Sequence, residues 1–266
     1  MLYLSPGITI YCLVLAAVLG ACAGSFLNCM AWRIVHEEPF LKGRSHCDVC
    51  GHVLSAGDLI PIVSYLAHRG KCRYCGAKLS IRHVIYEALS AVVFVTLLLR
   101  FDISPDALQY ILLACLLMGA AFADIEGYII PDGFILAGVA LRLVFILLSG
   151  HILSDLTAAL IGGFAVALAL LLVVLVMEKV LGREAMGGGD IKLIFMLGLF
   201  LGWQKNILCV LIACLLGIVT AVLTQKQREQ NSEDQRIFPW GPSLAIAAYL
   251  TLLFGDALLN AYLSLF

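Results

Sequence analysis

The chain reads as an all-α polytopic membrane protein of about eight transmembrane helices, with one polar insert between the first and the second. Three observations predict this. Of its 266 residues, 62% are hydrophobic and 13% charged, where a soluble domain carries about a quarter charged residues. Its mean hydropathy is +1.01. The apolar residues also arrive in blocks of roughly 20, the length that crosses a hydrocarbon core. Candidate spans lie at about 8–32, 83–100, 106–124, 131–149, 155–178, 190–202, 205–224 and 242–264. The net charge of -1 is unevenly distributed and carries little information by itself.

The first span lacks a basic start and runs past the length of a cleavable signal core, so a retained helix is expected. It ends at Arg33, where the long polar insert of residues 33–82 begins. The third span ends at Asp124. Beyond it, Pro131 suits the first turn of the next helix, and Asp132 then stands near a helix N-terminus, where negative charge is favoured. Arg142 in the fourth span and Asp256 in the last read as snorkelling or interhelical charges. The sixth span, about 13 residues if it stops before Gly202-Trp203, is short enough to be tilted, re-entrant or partly buried in protein.

Positive charge orients the spans, because short cytoplasmic loops are enriched in Lys and Arg. The insert and its edges hold Arg33, Lys42, Arg44, Arg69, Lys71, Arg73, Lys78 and Arg82. On the same side fall residues 179–190, with Lys179 and Arg183, and 225–241, with Lys226, Arg228 and Arg236; the opposite loops hold Arg100 and Lys205. An even number of spans with both termini outside satisfies all three loops. It also puts Asp124, closing the third span, and Asp190, opening the sixth, at one cytoplasmic depth.

Four of the ten cysteines form Cys47-Asp-Val-Cys50 and Cys72-Arg-Tyr-Cys75, each followed by glycine, Gly51 and Gly76. Two such knuckles supply the four thiolates of a closed, tetrahedral zinc site, which holds a loop rather than doing chemistry. A disulfide framework is the competing reading, disfavoured in a reducing cytosol. His46, His52 and His68 lie nearby and are weaker ligand candidates. The six remaining cysteines sit in apolar spans and read as small hydrophobes.

Ionisable groups at membrane depth are costly and mark function. Asp190 ends the run Gly187-Gly188-Gly189-Asp190, and glycines such as Gly187 and Gly189 clear side chains from the approach to its carboxylate. Gly-x-Gly-Asp alone could equally be a hinge with an N-capping aspartate. Its weight comes from the depth-matched Asp124. Two carboxylates sharing a site can divide the roles of base and acid, which is the equipment of aspartic hydrolysis. Asp132 has the helix-start explanation given above, and Lys192, two residues after Asp190, either tunes local charge or reaches headgroups.

Taken in order, these segments resemble the bacterial type IV prepilin peptidases, the prepilin leader peptidase/N-methyltransferases. The resemblance rests on Gly24-Ser25-Phe26-Leu27-Asn28 with Arg33, both cysteine pairs, Leu59-Ile60-Pro61-Ile62-Val63-Ser64-Tyr65-Leu66, Arg69-Gly70-Lys71-Cys72 and Ile81-Arg82 leading to Glu87. It continues through Asp124, Ile130-Pro131-Asp132, Met186-Gly187-Gly188-Gly189-Asp190-Ile191-Lys192 and Pro239-Trp240-Gly241-Pro242, where the family has Pro-Phe-Gly-Pro. Two positions depart from the family pattern. Arg33-Ile34-Val35 continues without the usual proline, and Asp48 replaces proline after the first knuckle cysteine.

The resemblance implies an intramembrane aspartic peptidase that cuts prepilins and pseudopilins after the glycine ending a short basic leader. It implies a second activity, methylation of the new N-terminal amine with S-adenosylmethionine. Asp124 and Asp190 map onto the catalytic pair, and Cys47, Cys50, Cys72 and Cys75 onto the zinc ligands. Expected are residues 1–32 as the first transmembrane helix, 33–82 as the zinc-binding, methyltransferase-associated insert, and 83–266 as the peptidase core. Location in the bacterial cytoplasmic membrane follows, multi-pass, lipid-embedded, with the catalytic face cytoplasmic and no nucleic-acid partner. A basic leader would meet acidic groups such as Glu126, Asp132 and Glu184. No Rossmann-type glycine loop marks the S-adenosylmethionine site. The alternatives are a leader peptidase without methylation, a proton-coupled transporter, which leaves the cysteine loop unexplained, and a non-catalytic assembly scaffold.

Overall fold

A computed structural model describes residues 5–39, 43–47, 49–182, 186–228 and 239–265, with the side chains of 224–228 left aside. Among the described residues the regular structure is helical. Long helices are α1 (Pro6–Val35), α3 (Arg82–Phe101), α4 (Pro105–Gly127), α5 (Asp132–Leu148), α6 (Ile152–Leu181), α7 (Gly188–Arg228) and α8 (Gly241–Leu263); α2 (Val63–Ala67) is a single short turn inside the insert.

Six of these helices are long and apolar enough to cross a membrane. Each of the eight expected segments has a helical counterpart among the described residues. α5 has 17 residues, about 25 Å of helix, at the short end of the range that crosses a hydrocarbon core. The sixth and seventh segments are the two limbs of α7, which turns sharply where Gly202 adopts φ 73° and ψ 170° and brings Asn206 of the second limb onto the Ile194 carbonyl of the first. Only glycine takes such a conformation without steric cost, so the short sixth segment ends in a tight turn at Gly202. The exposed apolar side chains along the spans, such as Leu168, Leu172 and Val176 of α6, suit a lipid surround. The chain is an integral membrane protein.

Two compact units divide the chain, residues 1–122 and 123–266, with the boundary inside α4 just before Asp124. In the first, α1 lies on α3: a Cβ added at Gly20 would come within 2.7 Å of the Ser90 carbonyl. Ser90 is fully buried and gives its hydroxyl to the Tyr86 carbonyl at 2.7 Å.

In the second unit, α6 and α7 approach backbone to backbone. A Cβ on Gly162 would collide with the Gly198 carbonyl, and one on Gly198 with that of Gly162. Small residues are how membrane helices approach closely. Asn206, fully buried one turn past the bend, donates to the carbonyls of Ile194 at 3.2 Å and Gly162 at 3.4 Å, tying both limbs of α7 to α6. Arg142 is an interhelical residue: its Nε donates to the Leu199 carbonyl at 2.9 Å, with the guanidinium over Phe200. Asp256 pairs with Lys205 at 2.7 Å.

Candidate active site

Asp124 lies in the last turn of α4 behind Ala120, Ala121, Phe122 and Ala123, all buried, and is itself 5% exposed. Its carboxylate is not left to the low-dielectric interior alone. The Gly241 amide, first in α8, donates to Oδ2 at 2.8 Å. A free N–H at a helix start is a ready donor to an anion. Proline at the second helical position, Pro242, is compatible with that arrangement, since its missing N–H would be unpaired in any case. The indole of Trp240 donates to the Ala213 carbonyl at 3.1 Å, fixing the start of α8 against α7.

Asp190 lies in the first turn of α7. Its amide donates to the Gly187 carbonyl at 3.2 Å. The two glycines of the motif do different work. A Cβ on Gly187 would lie 3.3 Å from the Asp190 carboxylate, whereas one on Gly189 would press on Ile130 at 3.1 Å. Gly187 thus keeps space beside the carboxylate, and Gly189 lets α7 seat against the segment before α5. The Asp190 carboxylate, on a different helix, is within electrostatic reach of Asp124.

Asp132 opens α5 and Lys192 reaches it from α7, Nζ to the carboxylate at 2.8 and 3.0 Å, both side chains exposed. Asp132 is therefore neutralised by a neighbour, which weakens it as a partner for a basic leader. Glu184 lies outside the described residues.

The cysteine insert is a second, separate centre. Its two knuckles repeat one pattern. The Cys47 amide donates to the His52 carbonyl and the Gly51 amide to that of Cys47, at 3.0 and 2.8 Å; Cys72 with Ala77, and Gly76 with Cys72, match at 2.8 and 2.9 Å. Gly51 and Gly76 take φ of 68° and 74°, the left-handed turn the motif needs. The four Sγ atoms lie within 4.8 Å of one another, with Cys47 and Cys75 3.9 Å apart. A tetrahedral zinc with bonds of about 2.3 Å has sulfur–sulfur edges of about 3.8 Å, so the four thiols fit a metal. The backbone amides of Cys50, then Val49, lower the Cys47 thiol to about 7. Despite the Ala77 amide, burial and the neighbouring thiols push Cys75 up to about 11, as in a cluster whose sulfurs compete for protons.

Sequence reasoning missed the supports. Asp58 accepts the Ser55 hydroxyl at 2.7 Å, the Ser55 amide at 3.0 Å and the Tyr74 hydroxyl at 2.9 Å. Led by the Ser55 hydroxyl, these bonds lower its carboxyl to about 2. Tyr74, between the second pair of cysteines, also packs on His52 of the first knuckle, ring centroids 3.7 Å apart. The Ser55-Ala-Gly-Asp58 spacing is a capping-box pattern, the one signal that could have found this hub. His46 and His68 bond elsewhere, His46 within 3.4 Å of the Arg44 carbonyl and His68 3.6 Å from Asp58.

These two centres match two known domains. Residues 18–101 match the Bacterial Peptidase A24 N-terminal domain, and residues 111–222 the Type IV leader peptidase family. The chain belongs to the type IV leader peptidase family. Proteins named prepilin leader peptidase/N-methyltransferase align along most of it. That of Pseudomonas putida is 31% identical over 92% of both chains. That of Aeromonas hydrophila is 34% identical over 87% of this chain and 79% of its own. That of Myxococcus xanthus is 35% identical over 82% of this chain and 66% of its own. No solved structure matches the chain.

The groove beside the start of α8 is not an S-adenosylmethionine site. Its volume is about 360 Å³, and it is lined by Cys214, Gly217, Ile218, Ala221 and Trp240. Its only strong donor, the Trp240 indole, is spent on Ala213. That lining does not fit the ribose and carboxylate of S-adenosylmethionine.

Proposed function

We propose that this protein is an inner-membrane prepilin leader peptidase that also N-methylates its product. The observation that carries the peptidase half is Asp124 and Asp190 within electrostatic reach of each other, in a chain of the leader peptidase family. The substrates are prepilins or pseudopilins, whose basic leader ends in glycine before an apolar helix. That helix enters the bilayer from the cytoplasm and presents its cleavage site at the interface, and the distribution of Lys and Arg supports the same side for both carboxylates.

One ionised carboxylate takes a proton from water as its oxygen attacks the carbonyl carbon of the leader's glycine. The other, protonated, donates a hydrogen bond to the carbonyl oxygen as charge develops there. The tetrahedral intermediate collapses when a proton passes to the leaving nitrogen, the C–N bond breaks, and a leader carboxylate and a free N-terminal amine result. Positioned proton transfer of this kind contributes about 10²–10⁴-fold to rate. The pair titrates as a unit. Gly241 fixes the Asp124 rotamer, and Gly187 leaves room at Asp190. Cys47, Cys50, Cys72 and Cys75 would hold a zinc ion, which with four thiolate ligands would stiffen the insert rather than activate water. Methylation is supported by the relatives' names, with the methyl donor held elsewhere than in the apolar groove beside Trp240.

The test is cleavage of a prepilin substrate by the wild type, Asp124→Asn and Asp190→Asn in reconstituted membranes. Each variant should lose at least about a hundredfold while keeping its bound metal. A correctly folded variant with near-normal turnover sinks the dyad. Mass spectrometry of the product with and without S-adenosylmethionine separates the bifunctional enzyme from a peptidase alone, by one methyl group.

A further inference from the structure

We infer that the insert docks on the anionic leaflet of its own bilayer, inserting apolar side chains of residues 59–66 beneath a ring of cations from residues 69–82. The inference rests on α1 and α3 being membrane spans and does not depend on the peptidase reading.

Depth is the first argument. The Ile62 amide donates to Glu87 Oε2 at 2.7 Å, and Glu87 is buried on α3. Glu87 lies five residues into a membrane span that starts at Arg82, about 7 Å along its axis. The interfacial layer on each side of the hydrocarbon core is about as thick. The latch therefore holds the backbone of residue 62 at or just below headgroup level. Ile62 is held in a strained form, φ 62° at a β-branched residue. Strain of this kind persists where the surroundings over-determine it, and the buried Glu87 carboxylate is the group that does so.

Composition is the second. Around the latch, Leu59, Ile60, Val63 and Leu66 are all exposed, Leu66 by 66%. An apolar cluster of this kind marks a binding surface. The following residues 69–82 carry Arg69, Lys71, Arg73, Lys78 and Arg82 and no acidic residue, and all five are exposed. Apolar side chains beside Lys and Arg at the headgroup plane are the pattern of an interfacial membrane anchor.

Charge selects the occupant. Residues 33–82 hold eight Lys and Arg against four Asp and Glu, a balance of +4. Four thiolates around one zinc would lower it by two, and it stays positive. A prepilin with a basic leader meets like charge on this surface, whereas phosphatidylglycerol meets opposite charge. Each Lys or Arg near an anionic leaflet strengthens its binding roughly fivefold.

The experiment is hydrogen–deuterium exchange of the full-length protein in nanodiscs of phosphatidylcholine, with and without phosphatidylglycerol. Amides of residues 59–66 should exchange more slowly in the anionic discs. Arg69→Glu with Lys78→Glu should abolish that difference, since two cations account for about twenty-fivefold in surface affinity, while the amides of α3 keep their protection. High salt should reduce the difference in the wild type. Equal exchange in both discs overturns the inference. So does protection that appears only when a prepilin peptide is added to phosphatidylcholine discs, which would make the surface a substrate dock. Leu66→Ser, with charges intact, should lose part of the protection; unchanged protection would show that the apolar residues do not insert.

Discussion

The insert and the membrane helices of residues 123–266 hold their functional groups by different means. In the insert, order comes from polar cross-links: paired knuckle hydrogen bonds, four convergent thiols, and Asp58 accepting three donors. In the membrane helices it comes from close backbone approach, Gly162 on Gly198, with single polar ties such as Asn206 to α6 and Gly241 to Asp124. The difference follows from solvent. A small loop in water has too little core to fold alone, so a metal on the four cysteines would substitute for one. Helices in lipid gain nothing from hiding apolar side chains from each other, so contact distance decides.

Metal removal should break the comparison most visibly. Structural zinc supplies about 10 kcal/mol or more of folding free energy in small domains. Cys72→Ser should therefore lose the metal by elemental analysis and open the insert to protease. Cleavage should survive in part, because the carboxylates belong to the other unit. If Cys72→Ser silences cleavage as fully as Asp124→Asn with the helices intact, the two regions are not separable in function.

The reverse experiment targets the helices. Gly198→Leu inserts a side chain where backbone already meets backbone. Overpacking costs about 1–3 kcal/mol and sometimes more, and the Gly162 carbonyl has no rotamer to yield. Unfolding in mixed micelles should show the loss, with metal content unchanged. A neutral result would mean that α6 and α7 separate easily.

Much of this was legible in the sequence, for definable reasons. Span positions follow from hydropathy, and both cysteine knuckles from a local spacing that needs no tertiary information. The turn at Gly202 showed as a segment too short to span. What stayed hidden were contacts between residues far apart. Nothing local says that the Gly241 amide, 117 residues away, bonds Asp124, or that Glu87 holds Ile62. Nor could sequence distinguish Lys192 reaching headgroups from Lys192 reaching Asp132, which lies 60 residues earlier.

Gly241→Ala sharpens the comparison inside the membrane unit, since it tests a tie rather than a packing contact. A Cβ there would sit 2.8 Å from the Asp124 carboxylate. The side chain must turn away, and a misplacement of about 1 Å costs roughly a hundredfold in a positioned reaction. The expected signature is a fall in kcat of about ten- to a hundredfold, with KM and thermal stability nearly unchanged. A matching loss of stability would assign Gly241 to packing instead.

The smallest effect should come from the exposed pair. Lys192 and Asp132 join the starts of α7 and α5 at 2.8 Å, yet both side chains lie more than half exposed. Exposed ion pairs contribute about 0–1 kcal/mol, so Asp132→Asn should leave unfolding within that range. Its effect on substrates is the more informative reading. If Asp132 met the basic leader directly, its neutralisation would raise KM for leaders in proportion to their positive charge. With Lys192 already on the carboxylate, KM should instead stay nearly flat across leaders of increasing charge. A steep dependence would mean that the substrate displaces Lys192, and would return Asp132 to the leader-binding surface.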